Sequence, residues 1–73
     1  MRIVEEGQLR GSFKGFKNND VVFEFFGGRK WKQDEYKYHY SYSYMPRAKI
    51  IEDRGQFYLD VDGMNEKVKV KQV

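Results

Sequence analysis

The chain contains 73 residues with a formal net charge of +3, 18% aromatic residues and no cysteine. This length predicts one small domain, residues 1–73, and the missing cysteines exclude disulfides and thiolate metal sites. No apolar run approaches the about 20 residues of a membrane span, and acidic residues stand where a signal peptide is apolar. We therefore expect a cytoplasmic domain in which residues 1–6 are frayed.

Alternation of apolar and polar residues recurs along the chain, and no segment shows helical periodicity. A first strand is predicted from Gly7 to Phe16. Its two interior glycines, Gly11 and Gly15, indicate strong curvature of the kind that small barrels require. A polar turn at 17–20 follows.

A second strand is predicted at 21–26. The Gly27–Gly28 pair then indicates a two-residue hairpin loop into an antiparallel third strand. In that third strand Trp31 stands between Lys30 and Lys32, so we expect the indole to point inward and the two lysines outward.

A continuous strand over 35–53 would extend about 60 Å, too long for a domain of this size. Pro46 is the expected break, because proline cannot donate to a strand ladder. Alternation continues at 56–62 and 67–73. The pattern predicts an all-β fold, a small antiparallel five- or six-stranded Src-homology-3-like barrel. The predicted core consists of some of the tyrosines together with Leu9, Phe13, Phe23, Phe25, Trp31, Ile50, Phe57, Leu59, Val61, Val68 and Val70.

The segment YKYHYSYSYMP, residues 36–46, places five tyrosines at alternate positions. Alternation puts the tyrosines on one face of a strand and Lys37, His39, Ser41 and Ser43 on a face that we expect to be solvated. Because a small core cannot hold five large rings from one strand, we expect two or three to be buried. Three uses of the tyrosines remain open: a structural role, self-association, and a stacking surface for a ligand.

Basic residues surround Trp31, and lysines alternate with valines at 67–71. Cations interleaved with aromatic rings are typical of surfaces that bind single-stranded nucleic acids. Lysines on a terminal strand also protect an exposed sheet edge from aggregation, and both interpretations stay open.

Acidic pairs and the single histidine give no sign of catalysis. The sequence DVDGMNE departs from the calcium-loop pattern, and Asp62 before Gly63 is ordinary turn chemistry. His39 has neither a second histidine nor a cysteine to act with. We expect no enzymatic activity, no catalytic residue, no cofactor and no metal site.

The pattern Trp31-x-Gln33-x-x-Tyr36-x-Tyr38-x-Tyr40-x-Tyr42-x-Tyr44-x-Pro46, followed by alternating strands, resembles a family of small bacterial β-domain proteins. The resemblance covers residues 13–73 and implies a bacterial origin and a compact β domain. No activity is attached to that family, so the resemblance assigns no functional residue.

Taken together, the residues predict a non-catalytic protein-interaction or self-association module. The alternative is a weak single-stranded nucleic-acid-binding module that uses aromatic and basic surface residues. The candidate interaction surface comprises Tyr36, Tyr38, Tyr40, Tyr42, Tyr44, Trp31, Arg29, Lys30 and Lys32.

Overall fold

The structure, a computed structural model, describes residues 2–17 and 21–73. These residues form strands joined by turns and contain no helix, and the all-β prediction is confirmed. Within the same two ranges there is consequently no helix that is long and apolar enough to cross a membrane. The strands are β1 Arg2–Gln8, β2 Ser12–Phe16, β3 Val22–Glu24, β4 Lys30–Gln33, β5 His39–Tyr44, β6 Arg47–Asp53, β7 Gln56–Val61 and β8 Lys67–Gln72.

The strands form two antiparallel sheets. The larger sheet has six strands in the order β1-β6-β7-β8-β4-β3, and the smaller pairs β2 with β5. Two backbone hydrogen bonds join the outer strands of the larger sheet beyond their ends. Phe26 N–H donates to the Gln8 carbonyl at 3.0 Å, and Arg10 N–H donates to the Glu24 carbonyl at 2.8 Å.

The structure has eight strands in place of the five or six predicted, and one reason is that the first predicted strand is divided. β1 ends at Gln8 and β2 begins at Ser12, with Gly11 between them at φ +79°. Few residues other than glycine adopt that backbone angle.

The expectation of a frayed start is wrong for residues 2–6, because β1 pairs with β6 from Arg2↔Glu52 onward.

The break at Pro46 is confirmed, and it carries the chain from one sheet to the other. β5 pairs with β2, whereas β6 pairs with β1 and β7. Met45 adopts φ +48°, its N–H donates to the Gly11 carbonyl at 2.9 Å, and Leu9 N–H donates to the Pro46 carbonyl at 2.8 Å. The corner is therefore fixed by the chain between β1 and β2.

The predicted hairpin between β3 and β4 is present, with a longer loop than expected. Phe25 N–H donates to the Arg29 carbonyl at 3.2 Å, which encloses a three-residue loop. Gly27 has φ +63° within this loop. The predicted turn at 17–20 lies outside the described residues except for Lys17.

The core contains most of the predicted residues. Ten of the eleven named non-tyrosine residues are buried, and Phe57 is partly buried against them. Phe16, which the prediction omitted, is fully buried and meets Phe13 and Phe23 edge-on at centroid distances of 5.9 and 6.2 Å. None of the five tyrosines at 36–44 belongs to the core.

Candidate functional site

Five tyrosines form the most prominent exposed feature of the molecule. We call Tyr36, Tyr38, Tyr40, Tyr42 and Tyr44 the tyrosine row; each is between 59% and 86% exposed. The prediction that two or three of them are buried is wrong. The opposite face is less exposed than the row, since Lys37, His39, Ser41 and Ser43 are each partly buried.

Polar contacts on the opposite face explain why the tyrosines point outward. Lys37 Nζ donates to the Lys67 carbonyl at 2.7 Å, and Glu35 Oε2 accepts from the Lys69 N–H at 2.7 Å. His39 Nδ1 lies 3.2 Å from Glu66 Oε2. These odd-numbered residues are attached to β8 and the loop before it, so the alternate, even-numbered tyrosines face solvent, both on β5 and in the segment before it.

Gln33 holds the start of the tyrosine row in place. Its side chain is fully buried, and its Oε1 accepts from the Lys17 N–H at 3.2 Å. Its Nε2 donates to the carbonyls of Glu35 and Lys37, at 2.9 and 3.0 Å, on either side of Tyr36. No role was predicted for Gln33, although its position two residues after an inward Trp31 indicates an inward side chain.

Three of the five tyrosines, Tyr40, Tyr42 and Tyr44, lie on β5, a strand with a free edge. Its partner β2 lies on one side, and no other strand in the described ranges pairs with it. Side chains two positions apart on a strand lie about 7 Å from each other.

Gly15 lies opposite Tyr40 at φ +95°, and a Cβ there would collide with the His39 carbonyl oxygen. Glycine at this position therefore permits the close approach of β2 and β5.

Trp31 does not belong to the exposed surface, and its inclusion in the candidate site is wrong. The indole is 1% exposed, and its Nε1–H donates to Glu5 Oε1 at 2.8 Å. Its ring lies 5.3 Å from that of Phe57. A buried ring cannot stack on a base, so Trp31 contributes to stability and not to binding.

The basic candidates lie on a different sheet from β5. Arg29 is exposed beside the β3–β4 loop, Lys30 lies opposite Glu24, and Lys32 lies opposite Val22 and Lys71. The cation on the same sheet as β5 is the exposed Lys14 of β2. The predicted interleaving of Trp31 with basic side chains is therefore absent from this surface.

Other charged groups of the described residues pair across neighbouring strands, as Arg2 does with Glu52. Asp60 lies across from Lys49 on one side and Lys67 on the other. In the part of the chain that the structure describes, no three His, Asp or Glu side chains gather into a group that could hold a metal ion.

Comparisons of the chain with protein-family models, with curated proteins and with solved structures give no match. The interpretation of the tyrosine row therefore depends on its own geometry and chemistry.

Proposed function

We propose that this protein is a non-catalytic interaction module that binds a protein partner, or another copy of itself, through the tyrosine row. The observation that supports the proposal is the exposure of all five rings. A buried aromatic side chain contributes 150–250 Å², so the exposed parts of the row amount to roughly 500–850 Å². A standard protein interface buries about 800 Å² on each partner. The exposed area of the tyrosine row is therefore close to the area that one partner buries in a stable interface.

The chemistry of tyrosine also fits a protein contact. Aromatic residues are enriched in the buried centres of interfaces, and tyrosine is frequent among the residues that dominate binding energy. Two rotatable χ angles limit the entropy that each ring loses when it is immobilised. The contacts of Gln33, Glu35 and Lys37 further restrict the backbone that carries Tyr36 and Tyr38.

The proposal includes a closed, Src-homology-3-like barrel as the scaffold in a cytoplasmic protein. The two hydrogen bonds that link Gln8 and Arg10 to Phe26 and Glu24 support closure, because they connect the outer strands of the six-stranded sheet. A closed sheet leaves few unpaired edges, so the two-stranded sheet that carries β5 becomes the principal surface for a partner.

A second candidate function is weak binding of single-stranded nucleic acid. The exposed Lys14 supports it, because this cation projects from the strand that pairs with β5. Bases stack on exposed aromatic rings, and cations beside them bind phosphates. Such binding should weaken steeply with salt, and no binding to single-stranded DNA or RNA at low salt would exclude it.

Photo-crosslinking distinguishes these functions. The photoreactive amino acid p-benzoylphenylalanine replaces Tyr42 in the cells that naturally produce the protein, and replaces Phe26 as a control. Phe26 is a 49% exposed aromatic residue on the β3–β4 loop and does not belong to the tyrosine row or to β5. We expect protein adducts, identified by mass spectrometry, from position 42 and not from position 26. Nucleic-acid adducts alone, or equal adducts from both positions, would contradict the proposal.

A further inference from the structure

We propose that the partner is a second copy of this chain, which packs its tyrosine row face to face on this one across a two-fold axis near Tyr40 and Tyr42. This inference rests on the proposed function and names the partner. It assigns the row to a symmetric homodimer interface in which the same surface serves both protomers.

Phenol side chains are chemically complementary to themselves. A phenolic hydroxyl both donates and accepts hydrogen bonds, whereas an ammonium only donates and a carboxylate only accepts. A two-fold interface places identical surfaces against each other, so it requires this self-complementarity. The even-numbered positions from Tyr36 to Tyr44 contain no charged residue, and two copies of the row therefore meet without like-charge repulsion.

The exposed area of the row also matches what a homodimer needs. The molecule has a total accessible surface of 4795 Å². The row accounts for roughly 500–850 Å² of it, on the order of the 800 Å² that each partner of a standard interface buries. Homodimer interfaces are more apolar than other interfaces, and tyrosine rings provide apolar area without an unpaired charge.

The charged side chains near the row do not obstruct this contact. Lys37 and Glu35 point to the opposite face, where they contact Lys67 and Lys69. Lys14 of β2 is exposed, and its long side chain allows the ammonium to stay in solvent when the row is covered. Pairs of rings in offset or edge-to-face geometry add to the area that they bury.

Sedimentation equilibrium of the wild-type chain, Tyr42→Glu, Tyr42→Lys and their equimolar mixture tests the inference. We expect the wild type to dimerise, and each single variant to weaken dimerisation at least about 100-fold because like charges meet near the axis. The mixture should recover dimers that contain one copy of each variant. Phe26→Glu and Phe26→Lys are matched controls that should dimerise like the wild type.

Fluorescence of the buried Trp31 checks that each variant is folded. A wild type that stays monomeric up to millimolar concentration would overturn the second-copy inference. Protein adducts from position 42 to a different chain would then still support the proposed function. A wild-type dimer that both Tyr42 variants preserve, or a mixture that stays monomeric when each variant is monomeric, would also overturn the two-fold contact.

Discussion

Replacement of Gln33 by methionine is predicted to destabilise the fold strongly without changing the volume of the core. Gln33 is 0% exposed, and its amide meets three backbone groups, the Lys17 N–H and the carbonyls of Glu35 and Lys37. Methionine fills a similar space, and apolar replacements of matched volume in themselves cost little. The measured loss should therefore report the missing hydrogen bonds.

The magnitude follows from the number of groups that lose a partner. Each buried polar group left without a hydrogen bond costs about 1–3 kcal/mol, and water can reach part of this site. We therefore expect a loss of about 2–4 kcal/mol from a total that for this length is about 4–11 kcal/mol. In a domain of this size that loss corresponds to a fall of roughly 10–25 °C in the melting temperature.

Urea unfolding followed by Trp31 fluorescence measures this loss. Trp31 is the single tryptophan of the chain and is 1% exposed, so its emission should shift when the core opens. Gln33→Glu is the informative companion variant. It keeps an acceptor for Lys17 N–H but directs a second oxygen at two carbonyls, and it should lose at least as much stability. A Gln33→Met protein within about 0.5 kcal/mol of the wild type would refute the role assigned to Gln33.

Two further pairs of substitutions test residues that support the site. Gly15→Ala should cost at least about 3 kcal/mol, because a Cβ there meets the His39 carbonyl oxygen and lies 2.8 Å from the Ser41 nitrogen. Gly11→Ala, at φ +79° with nothing within 4 Å, should cost about 1–2 kcal/mol, and equal losses in thermal unfolding would contradict this difference. Glu5→Leu should cost about 1–3 kcal/mol because it leaves the buried Trp31 N–H without its acceptor. Glu5→Gln keeps an acceptor oxygen and should cost less; the reverse order in urea unfolding would contradict the assignment.

The alternation of apolar and polar residues predicted the strands, because alternation along a strand depends only on neighbouring residues. Val68 and Val70 are buried between lysines, as their alternation indicates. Pro46 follows the end of the tyrosine strand because the proline ring leaves no backbone N–H to donate to a strand ladder. The division of the first predicted strand could not be predicted from its own residues. It depends on the bonds that Gly11 and Leu9 make with Met45 and Pro46, more than 30 residues away.

The orientation of the tyrosine strand could not be predicted from its own residues. Alternation separates two faces but does not show which one meets water, and the prediction of buried tyrosines treated the aromatic face as the inner one. The outcome depends on contacts between Glu35 or Lys37 and the backbone of β8, at separations of 34 and 30 residues. Trp31 is different, because its alternation with Lys30 and Lys32 correctly predicted an inward indole. Only its acceptor, Glu5, lies beyond the reach of local pattern, 26 residues earlier.

None of the five rings of the tyrosine row belongs to the core, and under the proposed function the row acts between molecules. The most direct measurement is the melting temperature of the wild type and of Tyr40→Thr/Tyr42→Thr/Tyr44→Thr, each from micromolar to millimolar concentration. Threonine keeps a high strand propensity, so the monomer should remain folded.

We predict that the wild-type melting temperature rises with concentration, because dimerisation stabilises the folded state by mass action. The variant should show no such rise and should match the dilute wild type. A variant that is strongly destabilised at every concentration would show that the rings hold the monomer together. A wild type whose melting temperature is independent of concentration would contradict self-association through the row.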